Sequence, residues 1–297
     1  MTTTTLSSAQ WDQTHSQAFP AQQTPEPKNP AAPELITREA STRTHLIIRL
    51  LVDRDRTMDA YRAYAYFRWV DDWLDQTSMD RDARIAFVRR QQSLIDRAYA
   101  GERLHTPTVE EQMVVDLIHS DHTPNSALQT YIQNMMVVMA FDADRRGRRI
   151  SAHELDEYSR YLATGVTEAL HYFIGHGEPP PASTARYRAV AAAHITHMLR
   201  DTCEDFAAGY FNIPGEYLTA HGISPGDISS EAYREWVKSR VQLARDHFKA
   251  GRDYLAQVPN LRCRIAGYAY CTQFEKVLDA IEKNAYWLHF NEQKERI

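Results

Sequence analysis

The sequence predicts an all-α protein, with one domain of helices around a central pocket, and three observations lead to this prediction. Glycine is scarce, at 11 of 297 residues, and long stretches run without glycine or proline, which favours helices over a turn-rich β fold. Apolar residues recur at three- and four-residue spacing from about Ile36 almost to the end of the chain. No segment alternates apolar and polar residues for long enough to predict a strand.

Residues 1–34 are predicted to form a disordered tail. This segment is rich in Thr, Ser, Gln, Pro and Ala, and it has too little apolar surface to offset the entropy lost on ordering. The helical pattern begins after the tail, so the predicted helical domain covers residues 35–297. No internal repeat divides this domain.

Nine helices are predicted in the domain, each a periodic segment bounded by Pro, Gly or polar residues. Breaks fall, for example, at Thr106-Pro107, at Arg146-Gly147 and from Gly222 to Gly226. In chain order the predicted helices are 36–50, 55–76, 80–100, 109–120, 125–141, 151–176, 184–209, 229–257 and 261–290.

The second predicted helix carries an acidic cluster on one face. Asp71 and Asp75 are one helical turn apart, and Tyr64, Arg68 and Asp72 lie on the same stripe. Stacked like charges repel, so a cation is expected between them, and oxygen ligands of this kind suit Mg²⁺. Six aromatic residues surround the cluster and predict the wall of a deep pocket: Tyr61, Tyr64, Tyr66, Phe67, Trp69 and Trp73.

The predicted helix at 184–209 carries a second acidic cluster. Five side chains share its polar face: His194, His197, Asp201, Glu204 and Asp205. Arg200, beside Asp201, is placed to bind an anion or to hold a carboxylate. Gly209 and Pro214 are expected to end the helix. Two acidic helices in one all-α domain predict that the two clusters face each other inside it.

Composition limits the function classes. The net charge of −5 makes nucleic acid an unlikely partner in the absence of a basic face. Cys203, Cys263 and Cys271 show neither metal-type spacing nor an even-numbered framework, which favours a reducing compartment. The sequence starts without a secretory profile, and no apolar run reaches the roughly 20 residues of a membrane span. The protein is therefore expected to be cytoplasmic, and peripheral contact with a membrane is compatible with this expectation.

The two clusters resemble the motifs of the squalene/phytoene synthase family, the head-to-head prenyl-diphosphate synthases. The segment from Tyr64 to Asp75 resembles the first aspartate-rich motif of the family, Y-x3-R-x2-D-D-x2-D. The segment from Leu199 to Asp205 is similar to the second motif, and Tyr158 to Ala163 resembles the family's Y-x-x-x-V-A-G segment. Ser41 to Thr44 stands where the family has a serine-rich helix start. Order and rough spacing agree over nearly all of the chain after the tail.

This resemblance implies an isoprenoid-synthase-type helical bundle around a central cavity and a Mg²⁺-dependent prenyltransferase. The substrates would be prenyl diphosphates of the farnesyl or geranylgeranyl class. The family reaction joins two of them head to head through a cyclopropyl intermediate and releases diphosphate, with two or three Mg²⁺ ions bound to the diphosphates. A squalene-type ending needs NADPH, which nothing in this sequence indicates. The lack of a dinucleotide fingerprint decides little, because reductive members of the family have no separate domain for it.

The resemblance also assigns roles to residues. The metal ligands would be Asp71, Asp72, Asp75, Asp201 and Asp205. The substrate-binding residues would be Tyr64, Arg68, His194, His197 and Arg200. The catalytic residues would be Tyr158, facing the reacting allylic carbons, together with Arg68 and Arg200.

Several positions depart from the family pattern, and all of them fall on the expected pocket. His194 and His197 stand where the family has glutamine and asparagine. The segment from Gly209 to Pro214 lacks an arginine and has its tyrosine in another place, and Thr164 replaces a glycine that lets substrate approach closely. These changes leave the fold expectation intact and leave prenyl chain length and product open.

Three other functions follow from the same residues. A catalytically silent relative would be a binding or assembly protein, although such a protein has no use for four stacked aspartates. An enzyme that ionises a single prenyl diphosphate, a cyclase or a hydrolase, would use His194 and His197 as bases. A metal oxidase would add Glu168 and His171, an E-x-x-H spacing, to the same histidines as iron ligands.

Overall fold

Twelve α-helices form the part of the protein that the computed structural model describes, namely residues 33–76, 78–104, 106–175 and 177–288. These residues contain no β-strand and belong to one compact unit, so the all-α prediction is confirmed. The helices are α1 (Pro33–Ala40), α2 (Thr42–Leu51), α3 (Thr57–Leu74), α4 (Arg81–Tyr99), α5 (Val109–Ser120), α6 (Ala127–Arg145), α7 (Ala152–Ile174), α8 (Arg188–Arg200), α9 (Thr202–Ala208), α10 (Gly215–His221), α11 (Glu231–Leu255) and α12 (Leu261–Lys283).

The predicted tail lies outside the described residues, except for its last two positions. Pro33 and Glu34 are the first residues of α1 rather than part of the tail. Proline is well suited to this position, because its missing N–H group would have no helical partner and its φ angle is already helical.

Local cap chemistry fixes several helix starts. Thr108 and Glu111 form a capping box at the start of α5, and Ser151 and Glu154 form another at the start of α7. In each box the two side chains exchange hydrogen bonds with backbone N–H groups that have no partner inside the helix. The second box matters for function, because α7 carries Tyr158 two turns further on.

Three predicted helices differ from the structure. The helix predicted at 36–50 is two helices, because the Ser41 hydroxyl accepts the Thr44 N–H at 3.1 Å and starts α2 afresh. The helix predicted at 184–209 begins as a 3-10 turn and then breaks at Asp201 into α8 and α9. The last helix ends at Lys283 instead of 290; Ala285 and Tyr286 have positive φ angles of 50° and 66°, which no helix accommodates. Residues 289 and 290 lie outside the described part of the chain.

A further helix, α10, was not predicted. It has seven residues, begins after Pro214 and ends at Gly222, whose φ angle is 62°. The segment is too short for apolar periodicity to identify it.

The core is built around α7, which lies against α6, α8 and α12. The two long helices α8 and α11 also pack closely together. Gly251 of α11 makes this close approach possible, because a Cβ atom there would lie 2.7 Å from the backbone nitrogen of Ala189.

A cavity of about 50 Å³ lies between α7, α8, α11 and α12. Its walls are mainly apolar and include Leu170, Ile174, Val190, Leu255 and Ala266. Among the described residues, every helix is too short or too polar to traverse a bilayer.

Candidate active site

The first acidic cluster lies at the C-terminal end of α3. The Arg68 guanidinium donates to the Asp72 carboxylate, and its Nη1 lies 3.7 Å from Oδ2 of Asp71. Asp75 is the C-cap residue, and its N–H donates to the Asp71 carbonyl at 3.0 Å. The helical geometry therefore reaches Asp75, and Asp71 and Asp75 stay one turn apart, as the sequence predicts.

The second acidic cluster lies where α8 passes into α9. Asp205 donates its N–H to the Asp201 carbonyl at 2.8 Å, so these two residues also keep one-turn spacing across the break. Arg200 holds the Asp201 carboxylate with two hydrogen bonds, from Nε and Nη2, both of 2.7 Å. His197 Nε2 lies 3.4 Å from Oδ2 of Asp201. Arg200 was predicted either to bind an anion or to hold a carboxylate, and in the structure it holds the carboxylate of Asp201.

The loop between α6 and α7 supports the second cluster. Gly209, with a φ angle of 88°, ends α9, and its carbonyl accepts the Gly147 N–H at 2.7 Å. Arg146 Nε donates to the Ala208 carbonyl at 2.9 Å. The basic segment Arg145-Arg146-Gly147-Arg148-Arg149, which ends α6 and forms this loop, is predicted from the sequence to be a solvated turn. This expectation is wrong for Arg145 and Arg146: Arg145 is 6% exposed, and both arginines bind neighbouring groups at the site.

The two clusters face each other across Asp142 of α6. Burial raises the pKa of Asp71 and Asp75 on one side and of Asp205 on the other, and the charge of Asp142 adds to all three shifts. Tyr210, which follows α9, has its pKa raised by burial and by the charges of both Asp142 and Asp75. Carboxylates that are distant in sequence therefore act on one another in the folded chain.

Asp142 is the site residue that the sequence reasoning missed. It accepts a 3.0 Å hydrogen bond from the Tyr158 hydroxyl and a 2.7 Å hydrogen bond from Arg145 Nε. It has no acidic neighbour at helical spacing, and its neighbour three positions later is the basic Arg145, so the sequence gives little signal for it. Its position between the two clusters appears only in three dimensions.

Burial and like charges raise the pKa of two cluster carboxyls. Burial, with the charges of Asp75 and Asp142, raises the pKa of Asp71 to about 7, although Arg68 opposes the shift. Burial, with the charges of Asp201 and Asp142, raises the pKa of Asp205 to about 6, although the Asn212 hydrogen bond of 2.6 Å opposes it. Negative charge is thus concentrated here beyond what the neighbouring arginines neutralise.

Tyr158 lies at the centre of the site. Its ring packs edge-on against His194 with centroids 5.0 Å apart, and the Arg145 guanidinium lies 4.9 Å from its centroid. Burial, together with the charge of Asp142, raises the pKa of the Tyr158 hydroxyl well above its ordinary value. Tyr158 is therefore a fixed hydrogen-bond donor rather than a base.

The two histidines of the second cluster lie in different surroundings. His194 is buried, and burial with the charges of His197 and Arg145 lowers its pKa to about 3. Its Nε2 has no hydrogen-bond partner among the described residues. The side chain of His197 is 53% exposed; partial burial and the nearby Arg200 lower its pKa, although the charge of Asp201 opposes the shift.

The aromatic residues of α3 mostly serve the core and do not line a pocket, which corrects the sequence interpretation. Trp73 stacks on Phe87 of α4 at 3.8 Å between centroids, and Trp69 meets the same ring edge-on at 5.4 Å. The other aromatic side chains also contact neighbouring helices. The Tyr66 hydroxyl donates to Gln91, and the rings of Tyr61 and Phe67 pack against His45 and Tyr131. Only Tyr64, one turn before Arg68, acts electrostatically on that arginine.

Another aromatic group surrounds the site instead. Phe141, Tyr158 and Tyr210 enclose the Arg145 guanidinium, with ring centroids 5.6, 4.9 and 4.9 Å away. These residues come from three separate segments, so no spacing rule connects them.

The carboxylates fit a magnesium site that depends on substrate. In the described part of the chain, no three His, Cys, Asp or Glu side chains come close enough to hold one ion between them. Mg²⁺ usually keeps several waters and binds through one or two carboxylates plus phosphate oxygens, so clusters spaced in this way suit it when diphosphate is present. The oxygen donors of Asp71, Asp75, Asp201 and Asp205, and the excess of negative charge among them, are of the right chemistry. Asp72, in contrast, is already bound by Arg68.

The iron-oxidase arrangement does not fit the geometry. Both carboxylate oxygens of Glu168 accept hydrogen bonds, from Arg186 at 2.5 Å and from Tyr187 at 2.9 Å. His171 lines the apolar cavity, and its Nε2 lies 3.4 Å from the Tyr254 hydroxyl. Glu168 is buried and is thus held as the partner of Arg186, which is itself only partly exposed.

An all-α bundle with two opposed aspartate clusters defines a protein of the isoprenoid-synthase type. Comparison with known protein families gives the family. The family model described as squalene/phytoene synthase matches residues 37–296, and the chain belongs to this family.

Curated relatives are distant. The chain is 24% identical over 258 residues to a chloroplastic phytoene synthase of an Oncidium hybrid cultivar, a match that covers 84% of this chain and 60% of the relative. It is 22% identical over 260 residues to the chloroplastic phytoene synthase 3 of Zea mays, covering 84% and 58%. The chain thus spans about 60% of the length of these relatives.

Solved structures support the fold. The crystal structure of squalene synthase HpnC from Alicyclobacillus acidocaldarius matches with a TM-score of 0.68 at 22% identity, covering 84% of this chain and 92% of that one. A dehydrosqualene synthase in complex with ligand matches with a TM-score of 0.65 at 19% identity, covering 89% and 90%.

Proposed function

We propose that this protein condenses two prenyl diphosphates of the farnesyl or geranylgeranyl class head to head, through a cyclopropyl intermediate and with release of diphosphate. One observation carries the proposal. Two aspartate pairs, Asp71 with Asp75 and Asp201 with Asp205, lie on two sides of Asp142, whose charge acts on Asp71, Asp75 and Asp205, and the same bundle contains an apolar cavity. A diphosphate head and a hydrocarbon tail need this combination.

The aspartates would hold Mg²⁺ together with substrate diphosphate. Bound Mg²⁺ neutralises the leaving diphosphate and so promotes ionisation of the allylic carbon. The protein's part is to hold the carboxylates on rigid helix ends, where hydrogen bonds within the backbone fix their spacing. Arg68 and Arg200 are held next to their aspartates and have further N–H groups that can donate to phosphate oxygens.

Tyr158 would protect and orient the reacting carbons. Its hydroxyl is fixed on Asp142 and the Arg145 guanidinium lies over one face of its ring, so a cationic carbon would meet the ring from the face away from Arg145. Because burial and the charge of Asp142 raise its pKa, it stays protonated and does not quench the cation as a nucleophile. With Phe141 and Tyr210 it forms a ring of aromatic groups that excludes water at this point.

The tails would follow one ridge of α7 into the cavity. Residues four apart along a helix form a continuous ridge, and the ridge from Tyr158 passes Leu162 and Val166 to Leu170 and Ile174. Leu170 and Ile174 line the cavity. At about 1.5 Å of rise per residue, Leu170 lies about 18 Å from Tyr158 along the helix axis, a distance that suits an extended prenyl chain.

The alternatives are less favoured by the same contacts. A cyclase or hydrolase with His194 as base is disfavoured, because burial lowers the pKa of His194 to about 3 and makes it a poor proton acceptor. A silent binding protein would retain Asp71, Asp75 and Asp205 in surroundings that raise the pKa of each without a use for them.

The test is incubation with farnesyl or geranylgeranyl diphosphate and Mg²⁺, with products identified by mass, with and without NADPH. A C30 or C40 hydrocarbon formed by the parent and lost in Asp71→Asn and in Asp205→Asn supports the proposal. An exposed acid away from the site supplies the control, Asp82→Asn, which should retain activity. A C15 or C20 product would assign the single-substrate reaction, and unchanged diphosphate at all Mg²⁺ concentrations would contradict both.

A further inference from the structure

An apolar surface lies on the outside of the bundle, on α2 and α12. Four large apolar side chains form it: Leu46 (47% exposed), Leu50 (70%), Leu261 (59%) and Ile265 (52%). Each helix contributes two residues that are four positions apart, so both side chains of a pair point the same way. Isolated exposed apolar residues are ordinary, whereas a contiguous group marks a contact surface.

The two helices lie side by side, which makes the four residues one surface. At one end, Arg262 Nη1 of α12 donates to the Leu51 carbonyl of α2 at 3.3 Å. At the other end, the charge of Arg43 of α2 lowers the pKa of Tyr270, whose pKa burial raises. Residues near the C-terminal end of α2 thus meet the start of α12, and residues near the start of α2 meet its third turn. The helices are antiparallel neighbours, and they are in contact.

The acidic or basic side chains that α2 and the first half of α12 themselves carry are histidine and arginines, in contrast to the net charge of −5 for the whole chain. The carboxylate of Glu34, on the neighbouring α1, is bound to His45 of α2 at 3.0 Å. Neither α2 nor the first half of α12 contains an acidic residue. Arg43 and Arg49 are exposed on the same face of α2 as the leucines, and in the described part of the chain neither is paired with a carboxylate. Asp53, the nearest acid in sequence, is buried and bound by Arg262.

From these contacts we propose that the surface formed by Leu46, Leu50, Leu261 and Ile265, with Arg43 and Arg49, binds the face of an anionic lipid bilayer. Apolar side chains that enter the boundary between headgroups and acyl chains, flanked by arginines that reach the lipid phosphates, are the features of an interfacial helix. A soluble protein partner with an apolar patch would explain the leucines but gives no reason for a basic border on an acidic protein.

The apolar surface and the cavity lie on opposite faces of α12. On α12 the cavity is lined by Cys263, Ala266, Gly267 and Tyr270, while Leu261 and Ile265 lie on the opposite face of the same turns. One helix therefore separates the apolar cavity from the bilayer. The lipid contact itself needs no catalytic activity, so it stands or fails independently of the proposed reaction.

The test is sedimentation of the full chain with vesicles, without substrate or Mg²⁺. Vesicles of phosphatidylcholine with phosphatidylglycerol should bind the protein, and phosphatidylcholine alone should bind it less. Leu50→Gln and Leu261→Gln should each weaken binding about tenfold, and Arg49→Gln about fivefold, an effect that high salt removes. Val109→Gln, on α5 and also 59% exposed in the parent, is the matched control and should bind as the parent does.

Three results would overturn the proposal. The first is a parent chain that stays in solution with both kinds of vesicle. The second is binding that survives the double variant Leu50→Gln with Leu261→Gln while circular dichroism shows an intact fold. The third is a concentration-dependent dimer of the parent that the same variants convert to a monomer, which would assign the surface to a second copy of the chain.

Discussion

At the residue scale, Asp142 has a structural role that Asp71 of the first cluster does not share. Arg145, which is 6% exposed, depends on Asp142 for a hydrogen bond of 2.7 Å and on Asn212 for another of 2.8 Å. Asp71 has no such partner: its nearest counter-charge, Arg68, lies 3.7 Å away and is bound to Asp72. We therefore expect the loss of the Asp142 carboxylate to lower the stability of the protein and the loss of the Asp71 carboxylate to leave it nearly unchanged.

Replacement of Asp142 by asparagine should destabilise the protein by about 3 kcal/mol, because it leaves a buried guanidinium without its charged partner. Repulsion from Asp71, Asp75 and Asp205 is relieved at the same time, but the half-exposed Asp71 is partly screened by solvent, so the lost contact outweighs this relief. Denaturant unfolding with the isosteric Asp71→Asn variant as control measures the difference. Asp71→Asn should unfold within about 0.5 kcal/mol of the parent or be more stable. Equal destabilisation by both variants would contradict the distinction.

At the element scale, helix boundaries could be predicted where local chemistry fixes them and not where tertiary contacts do. The start of α5 near 109 and the start of α7 near 151 follow from side chains three residues apart, Thr108 with Glu111 and Ser151 with Glu154. The break at Asp201 was not predicted, because the segment from 184 to 209 keeps a helical pattern throughout. There the Thr202 hydroxyl donates to the Met198 carbonyl at 2.8 Å and to the Leu199 carbonyl at 3.1 Å, contacts that periodicity does not show.

Glu111 connects two helices and should give the protein a measurable pH dependence. Its carboxylate accepts hydrogen bonds from Arg90 at 3.0 and 3.1 Å, from Gln91 at 3.0 Å and from the Thr108 N–H at 3.0 Å. Burial raises the pKa of Glu111, but these bonds outweigh burial and lower it below the ordinary value of 4.5. A lowered folded-state pKa means that the stabilisation is present above the ordinary value and is lost as pH falls through the folded-state value.

The prediction is that Glu111→Gln lowers the free energy of unfolding by about 1–2 kcal/mol at pH 7 and that this difference shrinks below about pH 4. Other carboxylates titrate in parent and variant alike, so the difference between the two curves isolates Glu111. A difference that stays constant from pH 7 to about pH 3 would show that the charge of Glu111 contributes nothing.

The packing of α8 on α11 gives a second prediction at this scale. A Cβ atom at Gly251 would meet backbone nitrogen, Cα and Cβ of Ala189 at 2.7 to 2.9 Å, none of which can rotate away. Gly251→Ala should therefore destabilise the protein by about 2 kcal/mol, although alanine is the better helix former. Gly267→Ala is the matched comparison, because its nearest contacts are the rotatable Cδ atoms of Leu255. Thermal unfolding should rank Gly251→Ala well below Gly267→Ala, and the reverse order would contradict the packing argument.

At the scale of the whole molecule, the sequence predicted the participants of the site better than their surroundings. One-turn spacing identified Asp71 with Asp75 and Asp201 with Asp205, because it is a property of a single helix. The residues between the clusters were missed or misplaced because they depend on how helices meet. Asp142 joins the site through the approach of α6, whereas Trp69 and Trp73 leave it to pack on α4.

The opposition of the two clusters predicts that Asp71 and Asp205 contribute to one binding event although 134 positions separate them, by the numbering of the chain. Inorganic diphosphate with Mg²⁺ should raise the melting temperature of the parent by about 5 °C at a hundredfold excess over its dissociation constant. Asp71→Asn and Asp205→Asn should each remove most of that shift, since a bridged diphosphate needs ligands from both helices. The double variant should lose no more than either single variant, because residues that act in one site are not additive. Asp82→Asn, with its side chain 95% exposed in the parent, should keep the full shift. If the two single losses instead add, each cluster binds its own ligand, and the two acidic helices do not form a common site.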